Sequence, residues 1–262
     1  MVKMEELNNQ AVEIERLLRM KTQPLAVKML EKEDDIPQGA KRPVKDIGHH
    51  LSLCQAISLA RRQGMSIAEL KEDMWCPEPV IGLGMAEAPQ YFMDGHNRYP
   101  QSVRSLEAGR TWAQSFPRLE AGKYIGVAVA PLATANFMPD MFILYTDGSQ
   151  LTQLLIAKNW MDGRDITSAI SGHAACVYTI TPVIQSGQFQ IALPCFGDRR
   201  RGMATDEEMI FSGPSALLGD LLAGLKQIKK GGGGLPQPHL MLTEYKLHNS
   251  YAKIAKMIGM DI

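Results

Sequence analysis

Two apolar runs, YIGVAVAPL at 124–132 and MFILYTD at 141–147, are separated only by Ala133 and the turn residues TANFMPD, and this pairing constrains the fold more than any other stretch. Both runs are rich in β-branched and aromatic residues and read as strands, while the Asn, Pro and Asp between them mark a turn. Further strands are predicted in TQPLAVKML, entered through Pro24, and in FQIALPC and EEMIFSG. Between them lie helical patterns. Residues 5–18 place Leu7, Val12, Ile14, Leu17 and Leu18 at near-helical spacing, and 52–62 put Leu53, Ala56, Ile57 and Ala60 on one face before Gly64 closes the helix. SIAEL reads as another helix starting from Ser66, 105–116 as a further one, and QLTQLLIAKNW as an amphipathic helix capped by Ser149. Residues 215–229 supply a final helix ending in KKGGGG. MWCPEPVIGLGMAEAP, rich in proline and glycine, favours a loop with at most a short helix from Pro77. The small, β-branched stretch 165–185 is expected to be helical through Cys176. Strands and helices are interspersed without clean repeats, which predicts an α/β body, with α+β as the alternative, built on a mixed β-sheet flanked by helices. Nothing divides the chain before residue 230, so 1–230 reads as one domain. Residues 231–262 then form a glycine joint at 231–234 and a C-terminal tail, expected to dock on its own body or on a second subunit of a homodimer.

Charge and composition remove several classes of function. Lys and Arg total 28 against 28 Asp and Glu, so no basic face for nucleic acid or an anionic membrane is expected. A composition of 45% hydrophobic and 21% charged residues belongs to an ordinary soluble protein. The first residues, MVKMEELNNQ, carry acidic groups where a secretory signal is apolar, and no uncharged apolar run reaches the roughly 18 residues of a membrane span. A cytoplasmic location follows as the expectation, and there four cysteines are unlike structural disulfides. No reaction is fixed, and whether the chain is an enzyme stays open. P-loop, G-x-S-x-G and H-E-x-x-H patterns are missing, and GLGMAEAPQ lacks the third glycine of a dinucleotide site. Asp206, Glu207 and Glu208 suit a helix start or strand edge better than an acid/base pair.

Eight blocks in order carry a family resemblance: CQAISLARR, the IGLG after Cys76, PQYFMDG, SLEAG, APLATANFMPDMFIL, GHAACV, LPCFGDRR and DEEMIFSGP. Over about residues 20–228 the chain resembles the uncharacterised prokaryotic family known as domain of unknown function 169. The resemblance implies a protein of the kind common in anaerobic bacteria and archaea. It also implies that Cys54, Cys76, Cys176 and Cys195 are the family's cysteines, with Gly197 and Arg199 following the last. This chain departs from the pattern at Asp198, where a small residue is expected, and in its glycine joint and long tail.

Every cysteine in the chain is one of those four. Four thiolates are the complement of a structural zinc or of a cubane iron–sulfur cluster. The intervening stretches of 21, 99 and 18 residues hold no C-x-x-C pair of the zinc-ribbon kind, so the finished fold must gather the ligands. That spacing, with the anaerobic setting implied by the resemblance, favours 4Fe–4S over zinc. Redox thiols without metal and inert buried cysteines stay open as alternatives. Cys54 in a first helical turn and Cys76 just before a helix suit anionic sulfur, since helix N-termini offer unbonded N–H groups. After Cys195, the Gly197 to Arg199 turn offers backbone N–H groups and a guanidinium for cluster charge or a small anionic ligand. Arg199 is expected to face the cysteines, and Arg200 and Arg201 solvent. His173, three residues before Cys176, shares its face if the segment is helical and is the further candidate ligand or proton donor. His49 and His50 read as loop residues. A redox-active reading would require a redox partner. The alternative function is a non-enzymatic module binding zinc or a small anion.

Overall fold

The computed structural model describes residues 3–230 and 249–260. Its strands are β1 (Leu25–Leu30), β2 (Ile67–Leu70), β3 (Gly126–Pro131), β4 (Met141–Thr146), β5 (Gln190–Ala192) and β6 (Met209–Pro214). They form one sheet in the order β2-β3-β1-β4-β6-β5. Each ladder is antiparallel: Val27 faces Val129 across β1 and β3, and Ile143 faces Ser212 across β4 and β6. Parallel pairing, the other half of the mixed sheet expected from sequence, is confined to the isolated bridges Lys41–Ile67 and Leu51–Met74. The helices are α1 (Met4–Leu18), α2 (Leu53–Gln63), α3 (Pro77–Gly82), α4 (Gln90–Met93), α5 (Leu106–Ser115), α6 (Gly148–Asp162), α7 (Ala175–Ser186), α8 (Phe196–Arg201), α9 (Leu218–Lys230) and α10 (Asn249–Met257). None among the described residues is long and apolar enough to cross a membrane.

The sheet has a core on each side because strand side chains alternate between faces. Leu25, Val27, Val129, Met141 and Ile143 pack with α2 and α7, whereas Ala26, Ala128, Phe142 and Leu144 pack with α1, α6 and α9. Covered on both faces, β3 and β4 are buried along their whole length. This is why they are so uniformly apolar in sequence.

Three local readings are corrected. SIAEL is not a helix: it forms β2, with Ile67 opposite Val129 and Glu69 opposite Val127. Ala, Glu and Leu are good helix formers, but pairing along β3 overrides that weak preference. Asp147, not Ser149, caps α6. Its carboxylate accepts from the Gln150 N–H at 2.9 Å while the Gln150 side chain accepts from the Asp147 N–H at 2.9 Å. The Gly-Asp-Arg stretch is not an open turn but part of α8. The glycine joint at 231–234 lies outside the described residues. Within the tail, α10 buries Ala255 and exposes Tyr251, Ile254 and Met257, and Ile258 just after it is exposed too.

Candidate cysteine site

Each cysteine stands at the start of a helix. Cys54 is the second residue of α2, and Cys176 the second of α7; Cys76 and Cys195 immediately precede α3 and α8. The sequence enforces these starts. The Ser52 N–H donates to the Gln55 side chain at 3.0 Å, Pro77 opens α3 at the one position where its missing N–H costs nothing, and Gly64 ends α2 at φ 75°. Two glycines let the elements close on one another. A Cβ on Gly82 of α3 would lie 2.4 Å from the Val177 side chain, and one on Gly202 would lie 2.2 Å from the Asp198 carboxylate and 2.9 Å from the Cys54 carbonyl. The first contact joins the Cys76 and Cys176 helices, and the second joins those of Cys195 and Cys54.

The result is one cavity of about 200 Å³ with Cys54, Cys76, Cys176 and Cys195 all in its wall. The four free thiols are half-buried. Among the described residues, no three His, Cys, Asp or Glu side chains close on a common point as ligands of a single metal ion do. A tetrahedral zinc with Zn–S bonds of about 2.3 Å would need its sulfurs about 3.8 Å apart.

Burial pushes the Cys54 thiol up to about 12, against the Ser52 hydroxyl 3.0 Å from its sulfur, and pushes Cys76 up to about 11. It drives Cys176 well above its ordinary value, and the neighbouring cysteines add to the effect. Without a cation these three thiols are protonated at neutral pH, so any metal bound here would have to displace their protons. Opposing the desolvation are the N–H groups and dipoles that open α2 and α7, helices of 11 and 12 residues.

Two arginines share the cavity wall, Arg98 and Arg201. Arg98 is buried, its guanidinium 4.0 Å from the centre of the Trp112 ring and paired with Glu78, which also lines the cavity. Arg201 lies 4.4 Å over the Trp75 ring. The expected order along the arginine run is thereby reversed. Arg199 turns away, donating to the Thr205 carbonyl at 2.7 Å and to Asp206 at 3.4 Å, because the helical turn of α8 sends it to the other side. Gly197 lines the cavity, and a Cβ there would sit 3.6 Å from the Cys195 sulfur. His173 lines it too, edge-on to Trp112 at 6.2 Å. It precedes α7 across Ala174, held at φ 49°, so its place beside Cys176 comes from the loop and not from a shared helical face. Burial and then Arg98 hold the His173 imidazole below its ordinary range, which keeps it neutral. His49 and His50 are exposed loop residues and do not line the cavity.

Asp198, three residues after Cys195, is buried. The Tyr145 hydroxyl donates to its Oδ2 at 2.8 Å, while Oδ1 finds no partner. Burial pushes its carboxyl up to about 6, with Tyr145 and Arg61 pulling it down. Arg61 stacks 3.8 Å over the Tyr145 ring and grips Glu208 in a bidentate pair at 2.7 and 3.1 Å. Sequence reasoning missed Arg98, Glu78, Arg61 and Glu208 as companions of the site. Their partners lie 20 to 147 residues away, and no local pattern announces them.

A three-layer helix–sheet–helix body in which four separate helix starts present thiols to one cavity defines the class of protein. The chain belongs to the DUF169 family, described as uncharacterised ArCR, COG2043, whose profile matches residues 13–224. It is 20% identical over 228 residues to an uncharacterized protein of Methanocaldococcus jannaschii, spanning 86% of this chain and 96% of that relative. No solved structure matches.

Proposed function

We propose that this is a cytoplasmic iron–sulfur protein in which Cys54, Cys76, Cys176 and Cys195 hold a 4Fe–4S cluster that serves electron transfer or substrate activation. One observation carries the reading: four cysteines from distant parts of the chain line a single cavity, each at a helix N-terminus. Packing alone gives no reason for the only four cysteines to meet there. Four cysteines lining a space with room for on the order of ten waters suit a polynuclear centre better than one zinc ion. When bound, such a cluster supplies one-electron chemistry at a potential set by charge, hydrogen bonds and solvent access.

The chain's own residues account for that tuning. The Ser52 hydroxyl lies 3.0 Å from the Cys54 sulfur and 3.0 Å from the Gln55 side-chain oxygen, to which it donates, so turning its one hydrogen to a Cys54 thiolate would stabilise anionic sulfur. Arg98 and Arg201 offset negative charge on the cavity side. Gly197 leaves the space beside the Cys195 sulfur clear. Trp75, Pro79 and Phe196 give the wall apolar surface that limits water.

Anaerobic purification with iron, sulfide and zinc quantified tests the proposal. Brown protein with broad absorbance at about 400 nm and about four irons per chain is expected. Colourless protein carrying zinc would replace this reading with the non-enzymatic zinc module, and metal-free protein would remove both metal readings and leave only the small-anion module.

A further inference from the structure

Arg98 presents an unusual balance of donors. Of its five N–H groups, one meets a protein acceptor, from Nη2 to Glu78. Nε is enclosed with no partner, and the residue as a whole is 9% exposed. An unpaired polar group enclosed in this way is costly, and a cation more so. The guanidinium is nevertheless held in place: Trp112 covers one face, Glu78 fixes one end, and the side chain lines the cysteine cavity. A planar fork immobilised with donors unspent is a receptor for a planar two-oxygen anion.

We infer that the cavity binds a small monocarboxylate, its carboxylate on Arg98 and its apolar body against the Trp75, Pro79 and Phe196 side of the wall. The class follows from charge and surface. Counting the chain's own lining residues with the thiols protonated, Arg98 and Arg201, which lies over the Trp75 ring, against Glu78 leave one net positive charge, so a phosphate or sulfate dianion would be under-compensated in a half-enclosed site, whereas one carboxylate is matched. No lysine lines the cavity among the described residues, and apolar and aromatic groups make up much of its wall. That combination suits an acid with a short hydrocarbon or aromatic body. His173 beside Arg98 is neutral and adds one hydrogen-bonding nitrogen without further charge.

The inference rests on the cluster reading only for the role of the bound acid, since Arg98 and the aromatic rim carry the binding itself. Isothermal titration calorimetry with sodium acetate and sodium benzoate, and inorganic phosphate for comparison, tests it on the full chain as purified. Saturable one-to-one binding of a carboxylate is expected, weakened by about tenfold or more in Arg98→Gln and unchanged in Arg199→Gln. No saturable heat with either carboxylate, equal affinity in Arg98→Gln, or tighter binding of phosphate would overturn it. Should Arg98→Gln fail to fold, the arginine side-chain ¹⁵N–¹H resonances of the unaltered protein decide. A buried guanidinium signal that moves with acetate supports the site, and one that stays fixed overturns it. Iron and sulfide content measured on the same samples separates the two readings: carboxylate binding by colourless protein would sink the cluster and leave the receptor standing, and brown protein without carboxylate binding would do the reverse.

Discussion

Replacing Glu69 by Gln removes a titration that the fold resists. Glu69 lies on β2 at 1% exposure, with neither carboxylate oxygen given a hydrogen-bond partner. Burial, and secondarily the charge of Asp73, raises its pKa from an ordinary 4.5 to about 8. The sign follows from linkage. Below pH 4.5 both folded and unfolded chains carry the proton; above it the unfolded chain loses the proton while the folded chain keeps it. Stability therefore falls by about 1.4 kcal/mol per pH unit until the folded group also ionises near pH 8. Between pH 4.5 and 7 the loss amounts to about 3 kcal/mol. Glu69→Gln keeps the shape and the cost of an unpaired polar group but abolishes the slope. Urea unfolding of both proteins across this range should show Glu69→Gln gaining about 3 kcal/mol on the parent as pH rises to 7. A difference between the two that does not change with pH would refute the reasoning and mean that Glu69 is ionised or partnered in solution.

The Arg61–Glu208 pair is fully enclosed, so Arg61→Met should cost about 3 to 5 kcal/mol by leaving the buried carboxylate only the Thr205 N–H at 2.9 Å and Arg62 at 3.7 Å, and Arg61→Met with Glu208→Leu should recover most of it; a single-variant loss below about 1 kcal/mol in urea unfolding would contradict this. Arg201→Ala should lower the potential of the proposed cluster by on the order of tens of millivolts, since it removes a cation from the cavity wall, while Arg199→Ala leaves it unchanged. Equal shifts in protein-film voltammetry would show that the cavity-lining distinction has no electrostatic consequence. Deleting residues 231–262 should lower the oligomer mass in light scattering or the melting temperature, because Tyr251, Ile254 and Met257 of α10 and the following Ile258 are exposed unless they are covered by another surface. Unchanged mass and unchanged melting would show that the tail holds nothing together.

What was legible in the sequence was whatever rests on local pattern. β3 and β4 announced themselves because both of their faces are buried, and α1, α2 and α9 because one stripe of each faces the sheet. Cys54 and Cys76 could be placed at helix starts from Ser52, Gly64 and Pro77 alone. Long-range choices were not legible. SIAEL has a helical composition, and only its pairing with β3 makes it a strand. The antiparallel sense of the ladders depends on strand order, which no local stretch encodes. A six-residue helix in FGDRRR rotates Arg201 toward the cavity and Arg199 away, a difference that a reading as an open turn could not predict. Arg98 stayed hidden because its significance comes from Trp112, Glu78 and the cysteines, which meet it only in the folded chain.

The central claim, that four dispersed thiols form one ligand set, is tested most directly by iron and sulfide content after anaerobic purification of the parent and of four single variants, Cys54→Ser, Cys76→Ser, Cys176→Ser and Cys195→Ser. The account predicts about four irons and four sulfides per chain in the parent and a clear loss in every variant whose circular dichroism shows it folded. A parent without iron, or two of the four variants retaining the parent's full content, would contradict it.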